Sequence, residues 1–322
     1  MNFWEQYPYL YKGLDRVEKK LKREVRSRNA TIESILVRLV DAGGKRLRPA
    51  LVLLCGGYGG VDEDKLISLA ASVEMVHMAT LIHDDVIDNA DYRRGIETTH
   101  KKWDTHTAIF AGDYLLSKAF GIITGNTVFE DAFFAARSFR LICEGEIEQY
   151  YSRNNVNTDV KRYLARIRYK TAMLFAMACS IGANISEVSK REKIAMKNYG
   201  LHLGMAFQIK DDLLDFLSSH EALGKPVIND LKQGIFTLPV IYALKDRKNG
   251  NRLRTILENG ELDEGSITEI IEIIKQGHAI EKTISLQDRF KKKAEADIKQ
   301  LRQCEHTRIM GDLLEYVTGR HN

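Results

Sequence analysis

Between Ala50 and Lys225 the chain contains no proline; the four it has stand at Pro8, Pro49, Pro226 and Pro239. Proline removes a backbone donor and clashes with the preceding turn, so so long a stretch without it is free to be helical throughout. Apolar residues recur at the matching spacing. Leu14, Val17, Leu21 and Val25 lie three and four residues apart, as do Ile32, Ile35 or Leu36, and Leu39, the stripe that seats one helix face on a core. No run alternates with period two for long enough to predict a sheet. The expected fold class is therefore all-α.

The pattern predicts helices near residues 12–28, 31–42, 47–58, 62–90, 105–124, 128–151, 159–184, 188–219, 231–246, 251–258, 266–277 and 279–318. The connections, at Gly43-Gly44, Arg93-Arg94-Gly95, Asn154 to Asn157 and Gly224 to Asp230, are all too short to link separate domains, so residues 1–322 are expected to form one domain. With 44% hydrophobic and 29% charged residues the chain is neither disordered nor fibrous. A net charge of +4 argues for neither nucleic acid nor membrane as partner. The basic run Lys19 to Arg28 carries no interleaved aromatic residue and reads as the wet face of a helix. Cys55, Cys143, Cys179 and Cys304 are widely spaced and form no CxxC pair, which argues against a zinc or disulfide framework and fits reduced thiols in the cytoplasm. The N-terminus lacks the order of a signal peptide. The longest apolar run, Leu66 to Ile82, is broken by Glu74 and His77, so no transmembrane segment is predicted.

Two acidic clusters carry the chemistry. Asp84, Asp85 and Asp88 concentrate carboxylates at one edge of a helix, and Asp211, Asp212 and Asp215 repeat the arrangement. One such cluster is simplest as a solvated helix end; two, each ending an apolar stripe, call for a cation. Hard oxygen donors in this pattern suit Mg²⁺, which keeps waters and takes further ligands from substrate phosphates. If the two helices face each other, the carboxylates ring a cavity whose wall below is apolar. That describes a diphosphate head bound to two or three Mg²⁺ ions and a prenyl tail. Gly200 and Gly204, one turn apart ahead of Gln208, permit close helix packing. Basic groups suited to free phosphate oxygens stand at Lys45, Arg46 and Arg48 on a glycine-started turn, at Arg93 and Arg94 beyond the first cluster, and at Lys170 beside Thr171. His77 lies two turns before Asp84 on the same face.

In order, "GGKRLRP", "HMATLIHDDVIDNADYRRG", "AGDYLLSKAF", "CEGEIEQ", "RYKTAML", "GMAFQIKDDLLDF", "LGKPVIND" and "TLPVIYAL" resemble the trans-isoprenyl diphosphate synthases, the polyprenyl synthetase family, through Leu244. The resemblance implies one large helical bundle around a central cavity (the isoprenoid synthase fold), usually a homodimer. It implies that Asp84, Asp85 and Asp88, with Asp211 and, through water, Asp215, hold Mg²⁺ for an allylic diphosphate such as farnesyl diphosphate. Arg93, Lys170 and Lys225 would grip that diphosphate, and Lys45, Arg48, His77 and Arg94 would form the metal-free pocket for isopentenyl diphosphate. The implied mechanism is ionisation, condensation and elimination, with the oxygens of Thr171 and Gln208 stabilising the allylic cation.

Two departures stand out. Ile235 replaces a lysine common in the family's "GKxTLP", and Ile228 replaces a glycine. A lost lysine there is associated with catalytic subunits of two-component hexaprenyl and heptaprenyl synthases, which raises a heterodimer with a small subunit as the alternative to a homodimer. Small residues at Ala79 and Thr80, below Asp84, leave room for a growing chain, and short-chain enzymes commonly carry an aromatic residue at the place of Ala79. The expected product is therefore a medium or long all-trans polyprenyl diphosphate of about thirty to forty carbons, with Met75, Val76, Leu116 and Phe120 as floor. A short-chain farnesyl or geranylgeranyl synthase is the alternative. A terpene cyclase would not keep the second DDxxD or need Lys45 and Arg48, and a non-catalytic subunit would be expected to lose the aspartates.

Overall fold

Asx side chains start the helices where the sequence places them. Asn29 Oδ1 accepts from the backbone N–H groups of Thr31 and Ile32 at 3.0 and 3.1 Å, and Asp62 Oδ1 accepts from Asp64 and Lys65 at 2.8 and 3.2 Å. Asp104, Asp159 and Asp263 do the same for Thr107, Arg162 and Ser266. Each satisfies donors that the first turn of a helix leaves orphaned. The computed structural model describes residues 3–217, 229–260 and 262–319, and of residues 129–131 and 229 the backbone alone.

After a 3₁₀ turn at Phe3–Gln6 come α1 (Pro8–Glu24), α2 (Ala30–Asp41), α3 (Leu47–Gly56) and α4 (Glu63–Ile87). A hairpin of β1 (Tyr92–Arg93) and β2 (Ile96–Glu97) leads to α5 (Thr99–Lys102), α6 (Thr105–Asn126) and α7 (Phe129–Tyr151). Next are α8 (Val160–Ile167), a π-helical turn (Arg168–Ala172), α9 (Met173–Ile185) and α10 (Lys190–Leu217). The chain ends with α11 (Asn229–Lys232), α12 (Leu238–Ala243), α13 (Gly250–Glu258), α14 (Glu264–Gln276), α15 (Ala279–Ile298) and α16 (Glu305–Thr318). The fold is all-α, as the missing prolines and the apolar spacing predict.

Two compact units divide the chain. The first comprises Met1–Ala136 with Met177–Lys197, the second Arg137–Ala176 with Asn198–Asn322. In the first, α4 packs against α1, α3 and α6. Among the described residues α4 is the one helix long and apolar enough to cross a membrane, yet 72% of its most apolar window is buried, which makes it the core helix of this unit. In the second unit Ile209, Phe236, Leu238, Ile241, Leu253 and Ile270 belong to one apolar cluster. The Tyr199 hydroxyl donates to the Met310 carbonyl at 2.7 Å, and His202 Nδ1 lies 2.6 Å from Asp297 Oδ2, which fastens α10 to α16 and α15.

Four details differ from the sequence expectation. The Arg93-Arg94-Gly95 loop is a two-residue hairpin turn with Arg94 and Gly95 at φ 51° and 79°, the backbone that suits the twist of paired strands. The helix expected over 159–184 is interrupted by the π turn. That over 231–246 breaks at Gly234, whose carbonyl accepts from Asn154 N–H at 2.8 Å, and resumes with Pro239 in its first turn. That over 279–318 divides at residues 299–304, where Leu301 is buried and Cys304 is extended.

Candidate active site

The predicted site residues fall in both units, and each unit builds its own part. In the first, Asp84 and Asp85 occupy the last turn of α4 and Asp88 caps it, its N–H donating to the Asp84 carbonyl at 2.8 Å. This is the negative end of the helix dipole, where carboxylates are repelled and cations are favoured. Arg93, presented by β1, donates from Nε to Oδ1 of the buried Asp85. Burial raises the Asp85 carboxyl above its ordinary range, and Arg93 opposes the rise. A cavity of about 30 Å³, room for about one water, is bordered by Ile82, Asp85, Arg93 and Arg94.

The turn before α3 sorts its three cations. Arg46, at φ 49°, is buried and held by Glu18 Oε2 at 2.9 Å, Glu74 Oε1 at 2.7 Å and the Val40 carbonyl at 3.1 Å, so its guanidinium is committed to the fold. Lys45 is exposed, and its carbonyl accepts from Trp4 Nε1 at 2.8 Å. Arg48 Nη1 lies 3.0 Å from His77 Nε2. Arginine only donates, so Nε2 of His77 must be the accepting nitrogen and the ring is neutral. Burial first, then Arg48, Arg94, Arg93 and Arg46, push the His77 pKa well below its ordinary value. Gly44 admits the Arg94 guanidinium against its backbone, because a Cβ there would stand 2.7 Å from Nη1. In this unit the structure thus gathers Arg48, His77, Arg93, Arg94 and Asp85.

Below them, Ala79 has no exposed surface, and Met75, Val76 and Leu116 are buried, with Phe120 partly so. The Thr80 hydroxyl donates to the His77 carbonyl at 2.8 Å.

In the second unit the π turn carries Lys170 and Thr171. In a regular α-helix Thr171 would be rotated by about 80° from the face of Tyr163, eight residues earlier. The wider π turn reduces that offset. Gly204 of α10 lets the turn approach, since a Cβ there would lie 2.6 Å from Ala172 Cα. The Thr171 hydroxyl donates to Gln208 Oε1 at 2.7 Å, Gln208 Nε2 donates to Asp212 Oδ1 at 2.7 Å, and the Tyr163 hydroxyl donates to Asp212 Oδ2 at 2.7 Å. Lys170 Nζ donates to Glu146 Oε2 at 2.8 Å.

The second acidic cluster is crowded. Burial is the first cause raising the Asp212 carboxyl to about 7, with Asp230 adding to it and the Gln208 and Tyr163 hydrogen bonds opposing. The protein around Asp215, and then repulsion from Asp230 and Asp211, push its carboxyl up to about 6, although the residue is open to solvent. The sequence reading missed Asp230, Glu146 and Tyr163. The i,i+4 spacing of Gln208 and Asp212 was legible, but no local signal ties Tyr163 or Glu146 to them. Lys225 and Ile228 lie outside the described residues.

Among the described residues no three His, Cys, Asp or Glu side chains converge tightly enough to hold a metal ion unaided. The donors are nonetheless right for one: oxygen only, at a helix C-terminus or mutually repelling, and short of ligands that a diphosphate supplies.

The polyprenyl synthetase family profile matches residues 29–274. The heptaprenyl diphosphate synthase component 2 of Bacillus subtilis (strain 168) is 38% identical over 320 residues, covering 99% of this chain and 91% of that protein. The geranylgeranyl diphosphate synthase of Saccharolobus solfataricus is 33% identical over 304 residues, covering 92% and 90%. Among solved structures, a polyprenyl synthase from Caulobacter crescentus CB15, complexed with calcium and isoprenyl diphosphate, superposes with a TM-score of 0.90 at 31% identity over 97% of this chain and 96% of that one. The chain belongs to the polyprenyl synthetase family. It is a prenyltransferase with the isoprenoid synthase fold.

Proposed function

We propose that this protein condenses isopentenyl diphosphate head-to-tail onto an allylic diphosphate such as farnesyl diphosphate, yielding an all-trans polyprenyl diphosphate of about thirty to forty carbons. The observation that carries the reading is the acidic end of α4, three carboxylates gathered at the pole of the helix where they are least stable, with Arg93 already turned onto one of them. Asp84, Asp85 and Asp88, with Asp211 and Asp215, hold the Mg²⁺–diphosphate head. When bound, Mg²⁺ offsets the negative charge that develops on the departing diphosphate. Arg93, Lys170 and Lys225 bind the same head. Lys45, Arg48, Arg94 and neutral His77 bind isopentenyl diphosphate. The oxygens of Thr171 and Gln208 face the allylic cation, and Ala79 and Thr80 leave the tail room to lengthen. The calcium and isoprenyl diphosphate in the Caulobacter crescentus enzyme support a divalent ion and an isoprenyl substrate here.

Residues 1–322 are one synthase domain, which works in the cytoplasm. A partner subunit is favoured over self-assembly alone by the relative designated component 2, and by Ile235 standing where the family commonly has a lysine. Asp84→Ala tests the reading. The variant keeps its fold, because removing one of several like charges relieves repulsion, and loses turnover by at least about 100-fold. Activity within twofold of wild type removes Asp84 from the metal site.

A further inference from the structure

Asp212 stands inside the second acidic cluster, yet both of its carboxylate oxygens are already engaged. Oδ2 accepts the Tyr163 hydroxyl and Oδ1 accepts the Gln208 amide, each at 2.7 Å. An amide has a donor end and an acceptor end. Once its NH₂ is given to Asp212, the Gln208 oxygen must point the other way, where the Thr171 hydroxyl donates to it at 2.7 Å. Reversing the amide would set oxygen against carboxylate and NH₂ against a donating hydroxyl, losing two hydrogen bonds together. Water cannot readily stand in, since Tyr163, Asp212 and Thr171 are 1%, 4% and 7% exposed.

We infer that Tyr163 and Asp212 form a buried relay that locks the Gln208 amide with its oxygen on the Thr171 side, making Tyr163 a positioning residue for formation of the allylic cation. This rests on the proposed prenyl transfer and names what orients the group that meets the cation. Within "DDLLD", Asp212 thus aims a dipole, whereas Asp211 and Asp215 are the proposed metal ligands. Arg166 completes the support, its guanidinium 5.5 Å over the Tyr163 ring and its Nη2 donating to the Phe236 carbonyl at 2.8 Å.

Tyr163→Phe in the full chain removes the hydroxyl and keeps the ring. With farnesyl and isopentenyl diphosphates and Mg²⁺, kcat falls roughly 10-fold, the rate equivalent of one hydrogen bond of about 1.4 kcal/mol, while both KM values stay within about twofold. Gln208→Ala is impaired as well, and the Tyr163→Phe/Gln208→Ala double variant is no slower than Gln208→Ala alone. Fully additive losses, or an unchanged kcat in Tyr163→Phe, overturn the relay. A readout independent of turnover is hydrogen exchange of the Gln208 side-chain amide by NMR, slow in the wild type and about 10-fold faster in Tyr163→Phe. Unchanged exchange overturns the relay whether or not the protein makes product, whereas faster exchange in an inactive wild-type background would retain the relay and sink prenyl transfer. If Tyr163→Phe does not fold, Asp212→Asn serves, with the same expected loss of kcat and rise in exchange.

Discussion

Arg46 and Arg48 are two residues apart in one basic turn, and their surroundings give them opposite tasks. Arg46 is enclosed by Glu18 and Glu74, and the Glu74 side chain is only 3% exposed. Removing one partner of a buried ion pair leaves the other charge unpaired, at about 3 kcal/mol or more. Arg46→Ala should therefore lower the thermal midpoint by roughly 4 °C or more while leaving the KM for isopentenyl diphosphate within about twofold once the protein is folded. A large rise in that KM with an unchanged midpoint would reassign Arg46 to substrate. His77 gives a second test through pH. Its folded pKa lies below the unfolded value of about 6.5. Below that pH the unfolded chain binds a proton that the folded chain refuses, so this contribution to stability falls as pH falls from about 7 to 5. Relative to His77→Gln, the wild type should lose unfolding free energy over that window in urea titrations. A pH-independent difference would mean that the ring is not held neutral.

At the scale of elements, the proposed ruler for product length lies on α4. Ala79 is fully buried one turn ahead of the acidic cluster, and α4 packs closely along α6. Ala79→Phe should shorten the products while sparing the first condensation, read by sizing labelled polyprenols alongside the thermal midpoint. Unaltered chain length in a folded variant removes Ala79 from the ruler. The helices themselves were legible because their apolar residues repeat at helical spacing, while the capping roles of Asn29, Asp62, Asp104, Asp159 and Asp263 come from the structure. The hairpin at Tyr92–Glu97 was not, since strands of two residues are too short to show a period. The π turn at Arg168–Ala172 carries no composition of its own, and the break at residues 299–304 contains neither proline nor glycine. Of the proposed site, the acids and bases are named from their spacing and resemblance. Tyr163, Glu146 and the Glu18–Arg46–Glu74 cluster could not, because each depends on contacts far apart in the chain.

For the whole molecule, the proposed reaction is one in which fixed cations and dipoles meet charge as it develops. The most direct measurement is a product assay on the full chain purified from its native cells by a tag, so that any companion subunit comes with it, supplied with Mg²⁺, farnesyl diphosphate and labelled isopentenyl diphosphate. Mg²⁺-dependent all-trans products of about thirty to forty carbons are expected. Label that stops at geranylgeranyl diphosphate, or no incorporation at all, would contradict it.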